Sequence, residues 1–72
     1  RVDMYLPDNF VINMDIYDNK GKLVQKVVES KQIEKGWFVQ NINLDSMSGG
    51  VYNLVVKVGD RTIEKRIIKV SK

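Results

Sequence analysis

Cysteine and histidine are both absent from this 72-residue sequence. Without thiolate or imidazole there is no zinc finger, no iron–sulfur ligation, no thiol nucleophile and no triad or dyad that uses imidazole. Most enzyme chemistry is thereby excluded. Disulfides are excluded as well, although a chain of this length stands near the size at which a hydrophobic core alone is only marginally sufficient. No uninterrupted apolar run is long enough to span a bilayer, and no charged-then-apolar leader precedes a small-residue cleavage site. Internal repeats, low-complexity runs and linkers are missing too, so nothing divides the chain and residues 1–72 read as one domain. It opens on Arg1 and not on methionine, which reads as a fragment or processed piece of a larger precursor.

What the sequence has in abundance is period-two alternation of apolar side chains. The stretch from Gly49 to Val70 reads as one long β-hairpin, in which two β-branched-rich runs flank Gly59-Asp60. Glycine in the first position of a two-residue loop suits a type II′ turn, whose twist matches the strands it joins. That turn fixes a register. Val58 stands opposite Arg61, Val56 opposite Ile63, Leu54 opposite Lys65 and Tyr52 opposite Ile67, so Tyr52, Leu54, Val56, Ile63 and Ile67 share one face that must be covered. Ahead of the hairpin, Ser48-Gly49-Gly50-Val51-Tyr52-Asn53-Leu54 has the spacing of a tyrosine corner, in which a Tyr near the start of a core strand bonds back to upstream backbone. Leu54 occupies the position of the second disulfide cysteine of that motif.

Earlier segments alternate as well. Val2, Met4 and Leu6 mark a half-buried edge strand stopped by a turn over Leu6-Pro7-Asp8-Asn9, and Phe10, Ile12, Met14 and Ile16 mark a second strand with one core face. Asp18-Asn19-Lys20-Gly21 suits a type I turn closed by a left-handed glycine, leading to a strand over 22–28. Residues 29–35 show no clean period and read as a loop with room for one helical turn. A strand over 37–44 follows, with Phe38, Ile42 and Leu44 on the core face and Trp37 and Val39 on the other, and Met47 serves as an apolar plug in the corner. Five or six short antiparallel strands with no covering helix lead to a small immunoglobulin-like β-sandwich, all-β, with a small barrel as the alternative.

Two stretches resemble a known family. The string Leu44-Asp45-Ser46-Met47-Ser48-Gly49-Gly50-Val51-Tyr52-Asn53-Leu54, followed by a strand, a tight turn and a basic apolar end, resembles the C-terminal sorting domains of the type IX secretion system. Ile16-Tyr17-Asp18, turning through Gly21-Lys22 into Leu23-Val24, is similar to the same pattern. The resemblance covers nearly the whole chain. It implies a module ending an exported precursor, transiting the periplasm, recognised by an outer-membrane translocon, and removed by a sortase-like peptidase as the passenger is anchored at the cell surface or released. It places recognition on Lys65, Arg66, Ile67, Ile68 and Lys69, with Gly50 and Tyr52 setting the pose. The Tyr-Pro-Asn-Pro-like string with which such domains open does not occur here, leaving a truncated first strand or a different immunoglobulin-like tail as the two readings. The alternative function is an immunoglobulin- or fibronectin-like accessory module of a multidomain surface protein.

Other candidate sites fare less well. Asp15, Asp18 and Asn19 offer oxygens to calcium but lack the ladder of carboxylates an EF-hand loop needs, and Asx-turn chemistry accounts for Asp18 and Asn19. Ser46 and Ser48 have no imidazole to activate them and read as turn hydroxyls. Gly49-Gly50 opens a strand, whereas a P-loop glycine run opens a helix. Trp37 is either a platform for sugar stacking or a cover for the sandwich rim. The net charge of +3 divides as +4 after residue 56, including Lys57, Arg61 and Lys72, and −1 before it. No aromatics interleave the terminal lysines, so single-strand nucleic acid is a poor fit. The basic strand either blunts an exposed edge against aggregation or meets an acidic partner. No cofactor, metal or catalytic residue is expected, nor any membrane insertion.

Overall fold

A computed structural model describes residues 1–70. Lys72, counted above in the basic end, lies outside them. Six strands form: β1 (Val2–Leu6), β2 (Phe10–Asp18), β3 (Leu23–Ile33), β4 (Gly36–Gln40), β5 (Gly50–Val58) and β6 (Arg61–Lys69). All pairings are antiparallel. β1 and β4 make a two-stranded sheet, and the other four make a sheet in the order β3-β2-β5-β6. No helix occurs among the described residues. The chain therefore crosses between sheets three times, and two crossings are tied together, since the Lys35 backbone N–H donates to Asn9 Oδ1 at 2.8 Å.

Alternation places the core between the sheets. Ile12, Met14 and Ile16 from β2 are fully buried, joined by Tyr52, Leu54, Val56 and Val58 from β5, Val28 from β3, Leu6 from β1 and Phe38 from β4. At about 1.5–3 kcal/mol for each large apolar side chain withdrawn from water, these ten dominate what holds so small a fold together. The expected hairpin register is found residue for residue. Its turn has Gly59 at φ +60 with Asp60 at negative φ, the combination type II′ requires. The β2–β3 turn also forms as read: Gly21 sits at φ +84, and its N–H donates to the Asp18 carbonyl at 3.1 Å.

Three expectations need correction. Residues 29–33 are strand and not loop, because β3 continues to Ile33, and only 34 and 35 connect it to β4. The period fails there because one of the three register shifts of β3 against β2 falls between Val28 and Lys31, with Ser30 at φ +44 and its N–H and hydroxyl both donating to Asn13 Oδ1. Each shift inserts an extra residue and re-aims the side chains that follow, erasing simple alternation. Second, β4 stops at Gln40, and residues 41–44 leave the sheet, although Ile42 and Leu44 still pack on the core. Third, Ile63 is 45% exposed and not covered. The facing sheet has only two strands and does not reach across β6.

Candidate functional site

The corner and the last strand form one connected structure. Tyr52 is buried, and its hydroxyl donates to the Ser48 carbonyl at 2.6 Å, closing the tyrosine corner expected from the spacing. A second anchor comes from β6. Lys69, opposite Gly50 in the ladder, extends its ammonium to the carbonyl of Leu44 and, at 2.6 Å, to that of Met47. The segment 44–48 has left the sheet, so its carbonyls lack ladder partners; one phenol and one ammonium satisfy three of them. The Met47 N–H donates to the Leu44 carbonyl at 3.0 Å, making the segment a tight turn on which Met47 packs inward.

Pairing divides the remaining candidate residues between two faces. Ile63, Lys65, Ile67 and Lys69 lie on the inner face with Leu54 and Tyr52, whereas Arg66 and Ile68 lie on the outer face, opposite Asn53 and Val51. Ile67 is half-buried on the core, and Ile68 is 67% exposed. The stretch Lys65 to Lys69 is thus two surfaces in place of one. Lys69 spends its charge on the corner, leaving Arg61, Lys65 and Arg66 as the exposed cations of β6, with Glu64 its one acid. The inward parity of Lys69 was available in the register, since it stands two residues beyond Ile67 and opposite the corner glycine.

Beside β6 the sandwich is open. β6 pairs only with β5, and among the described residues no strand flanks its other side. Between it and β1 lie two grooves. One, of about 290 Å³, has Arg1, Val2 and Asp3 on one wall and Lys65, Arg66 and Ile67 on the other. The second, of about 280 Å³, runs from Met4 and Leu6 to Arg61 and Ile63. On the β1 wall of the first groove, Arg1 Nε donates to Asp3 Oδ1 at 2.9 Å, and that bond holds the Asp3 carboxyl below its ordinary pKa. Sequence reasoning missed this cleft, because its β1 wall is brought to β6 only by the pairing of the small sheet.

The other candidates resolve as follows. Asp18 Oδ1 accepts the backbone N–H groups of Lys20 and Lys22, each at 2.9 Å, and these bonds, the Lys22 one foremost, lower its pKa. Its carboxylate is thus engaged in turn formation. Asp15 stands apart on β2, 3.7 Å from Lys26 Nζ. Trp37 is 74% exposed, and its ring meets Tyr5 edge-on, centroids 5.6 Å apart, on the outer face of the small sheet.

The family model for the secretion system C-terminal sorting domain matches residues 2–70. This chain belongs to that family. Searches of curated proteins and of solved structures each return no match. Members of the family serve as sorting signals for type IX secretion, which directs proteins to the cell surface or into the medium. The matched span takes in the corner, the whole of β6 and the lining of both grooves apart from Arg1.

Proposed function

We propose that this sorting domain acts by being recognised through its final hairpin, and not by catalysis. The observation that carries the reading is β6 itself: a free sheet edge bearing Arg61, Lys65 and Arg66, held in place by the Lys69 and Tyr52 anchors behind it. An unpaired edge offers backbone hydrogen bonds to an incoming strand, and the cations steer an acidic partner toward it. In this reading the domain follows a passenger as a module of a longer precursor and crosses the periplasm with it. It then presents β6, including Ile67 and Ile68, to the outer-membrane translocon, and a sortase-like peptidase removes it afterward. Gly50 and Tyr52 set the pose of the hairpin from the corner.

The test is a passenger fused to this domain in a type IX-competent bacterium, followed by its partition between periplasm, cell surface and medium. Surface delivery is expected for the intact fusion, and deletion of residues 67–72 should strand the passenger in the periplasm. Reversing Lys65 and Arg66 to glutamate should weaken export less than the deletion does, because exposed charges mainly govern encounter. Each variant is first checked for a folded, protease-resistant domain. Equal delivery with and without the terminal strand would reject the recognition role and favour the accessory-module reading.

A further inference from the structure

Resting on β6 as the recognised strand, we infer that the β1–β6 cleft is an acceptor groove. Its occupant is an extended partner segment that adds to β6 as a further strand, carrying alternate apolar side chains and a central carboxylate.

Three observations fix that chemistry. The first is the pattern of free backbone. A two-residue turn makes Val58 and Arg61 a hydrogen-bonded pair, and alternation along the register then directs the N–H and C=O groups of Thr62, Glu64, Arg66 and Ile68 away from β5. Those groups are a template for one more strand. The second is shape. Ile63 and Ile67 lie on the inner face, one at each groove, with Lys65 midway between them. An added strand repeats its side chains on that face every second residue, so apolar groups opposite Ile63 and Ile67 enter the two grooves and the residue between them meets Lys65.

The third observation is charge. Arg61 borders one groove and Lys65 and Arg66 the other, while the acid on the facing wall, Asp3, is already matched by Arg1. A carboxylate opposite Lys65 completes the row. The same reasoning disfavours a second copy of this chain. On β6 the exposed cations Arg61, Lys65 and Arg66 outnumber the acid Glu64, so two copies of the edge meet with like net charge. Like charges directly opposite destabilise a ladder.

The probes are three nine-residue peptides: one with valine, glutamate and valine at alternate positions separated by threonine, one with lysine replacing the glutamate, and one of scrambled order. Binding is followed by amide hydrogen exchange read by nuclear magnetic resonance. The glutamate peptide should protect the amides of Thr62, Glu64, Arg66 and Ile68 and bind about tenfold more tightly than the lysine peptide. Lys65→Glu combined with Arg66→Glu should reverse that preference. Glu64→Pro deletes an outward N–H without touching the β5–β6 ladder, so it should abolish protection while leaving the Tyr52 and Ser48 resonances in place. Protection confined to other strands, equal binding of all three peptides, or protection of β6 by self-association alone would overturn the inference. In the export assay, delivery by folded Glu64→Pro equal to that of the unmodified domain, with deletion of 67–72 still blocking export, would discard the groove and keep the sorting reading. Delivery without any domain would discard the sorting reading itself.

Discussion

Replacing Lys69 with methionine keeps an unbranched apolar stem and removes only the ammonium that donates to the Leu44 and Met47 carbonyls. Hydrogen bonds to a charged group are worth about 1.5–3 kcal/mol each. Lys69 is half-buried, so water can reach part of this arrangement, and the two bonds together are expected to contribute about 1.5–2 kcal/mol. A domain of this size shifts its Tm by about 4–8 °C per kcal/mol, so Lys69→Met should melt roughly 6–16 °C below the unmodified chain. Arg66→Met, on the exposed outer face, is the control and should stay within about 0.5 kcal/mol. A double-mutant cycle with Tyr52→Phe sharpens the test. The Tyr52 hydroxyl should contribute about 1 kcal/mol alone. Because it and Lys69 restrain the same five residues, the two losses should differ from simple addition by about 0.5 kcal/mol or more. Thermal and urea unfolding measure all four chains. Lys69→Met melting with the unmodified protein, or strict additivity, would show that the corner does not depend on β6.

Leu54→Ala, on an interior strand and 3% exposed, should cost about 2–5 kcal/mol in urea unfolding, whereas Lys57→Ala on the outer face of the same strand should be nearly silent; equal midpoints would overturn the assignment of faces. Gly59→Ala should lose about 1–3 kcal/mol, since alanine is strained at φ +60 and its Cβ would stand 3.1 Å from the Phe10 ring; an unchanged midpoint would show that the turn relaxes freely. Asp18 has its pKa lowered in the fold by the Lys22 and Lys20 N–H groups, so its contribution is present above the ordinary carboxylate value, near pH 4, and is lost as pH falls through the lower folded one. Asp18→Asn should therefore flatten the acid limb of the stability–pH profile, and an identical limb in both proteins would deny the carboxylate that role.

Local chemistry made the hairpins legible. Gly59-Asp60 and Asp18-Asn19-Lys20-Gly21 each state a turn geometry; the first fixed every pair of the unshifted β5–β6 ladder, and period-two spacing marked the inward faces of β2 and β5. β3 was illegible beyond Val28 because its information lies in its partner: Asn13, on another strand, accommodates the bulge at Ser30. A bulge on an edge strand removes the period by which a strand is read. The candidate site divides in the same way. The tyrosine corner could be read because Tyr52 and Ser48 are four residues apart, whereas the bonds of Lys69 to Leu44 and Met47 join residues more than twenty apart in sequence. Treating Lys65 to Lys69 as one basic stretch ignored the parity that the register had already supplied.

That parity explains how one strand can be both guarded and readable. An exposed β edge invites indiscriminate pairing, and lysine or arginine along it is a common protection. On β6 the cations do not act alike. Lys69 turns inward and ties the end of the strand to the corner, adding to the ladder that β6 makes with β5. Arg61, Lys65 and Arg66 stay at the surface, where they oppose another copy of the same strand yet attract a segment bearing carboxylates. On the proposed reading, protection against self-pairing and selection of an acidic partner are one electrostatic property. A variant with those three residues neutralised should lose partner preference and gain self-association together, at unchanged folding stability. Analytical ultracentrifugation beside peptide titration would separate the cases, and loss of preference without self-association would show that the guard resides elsewhere.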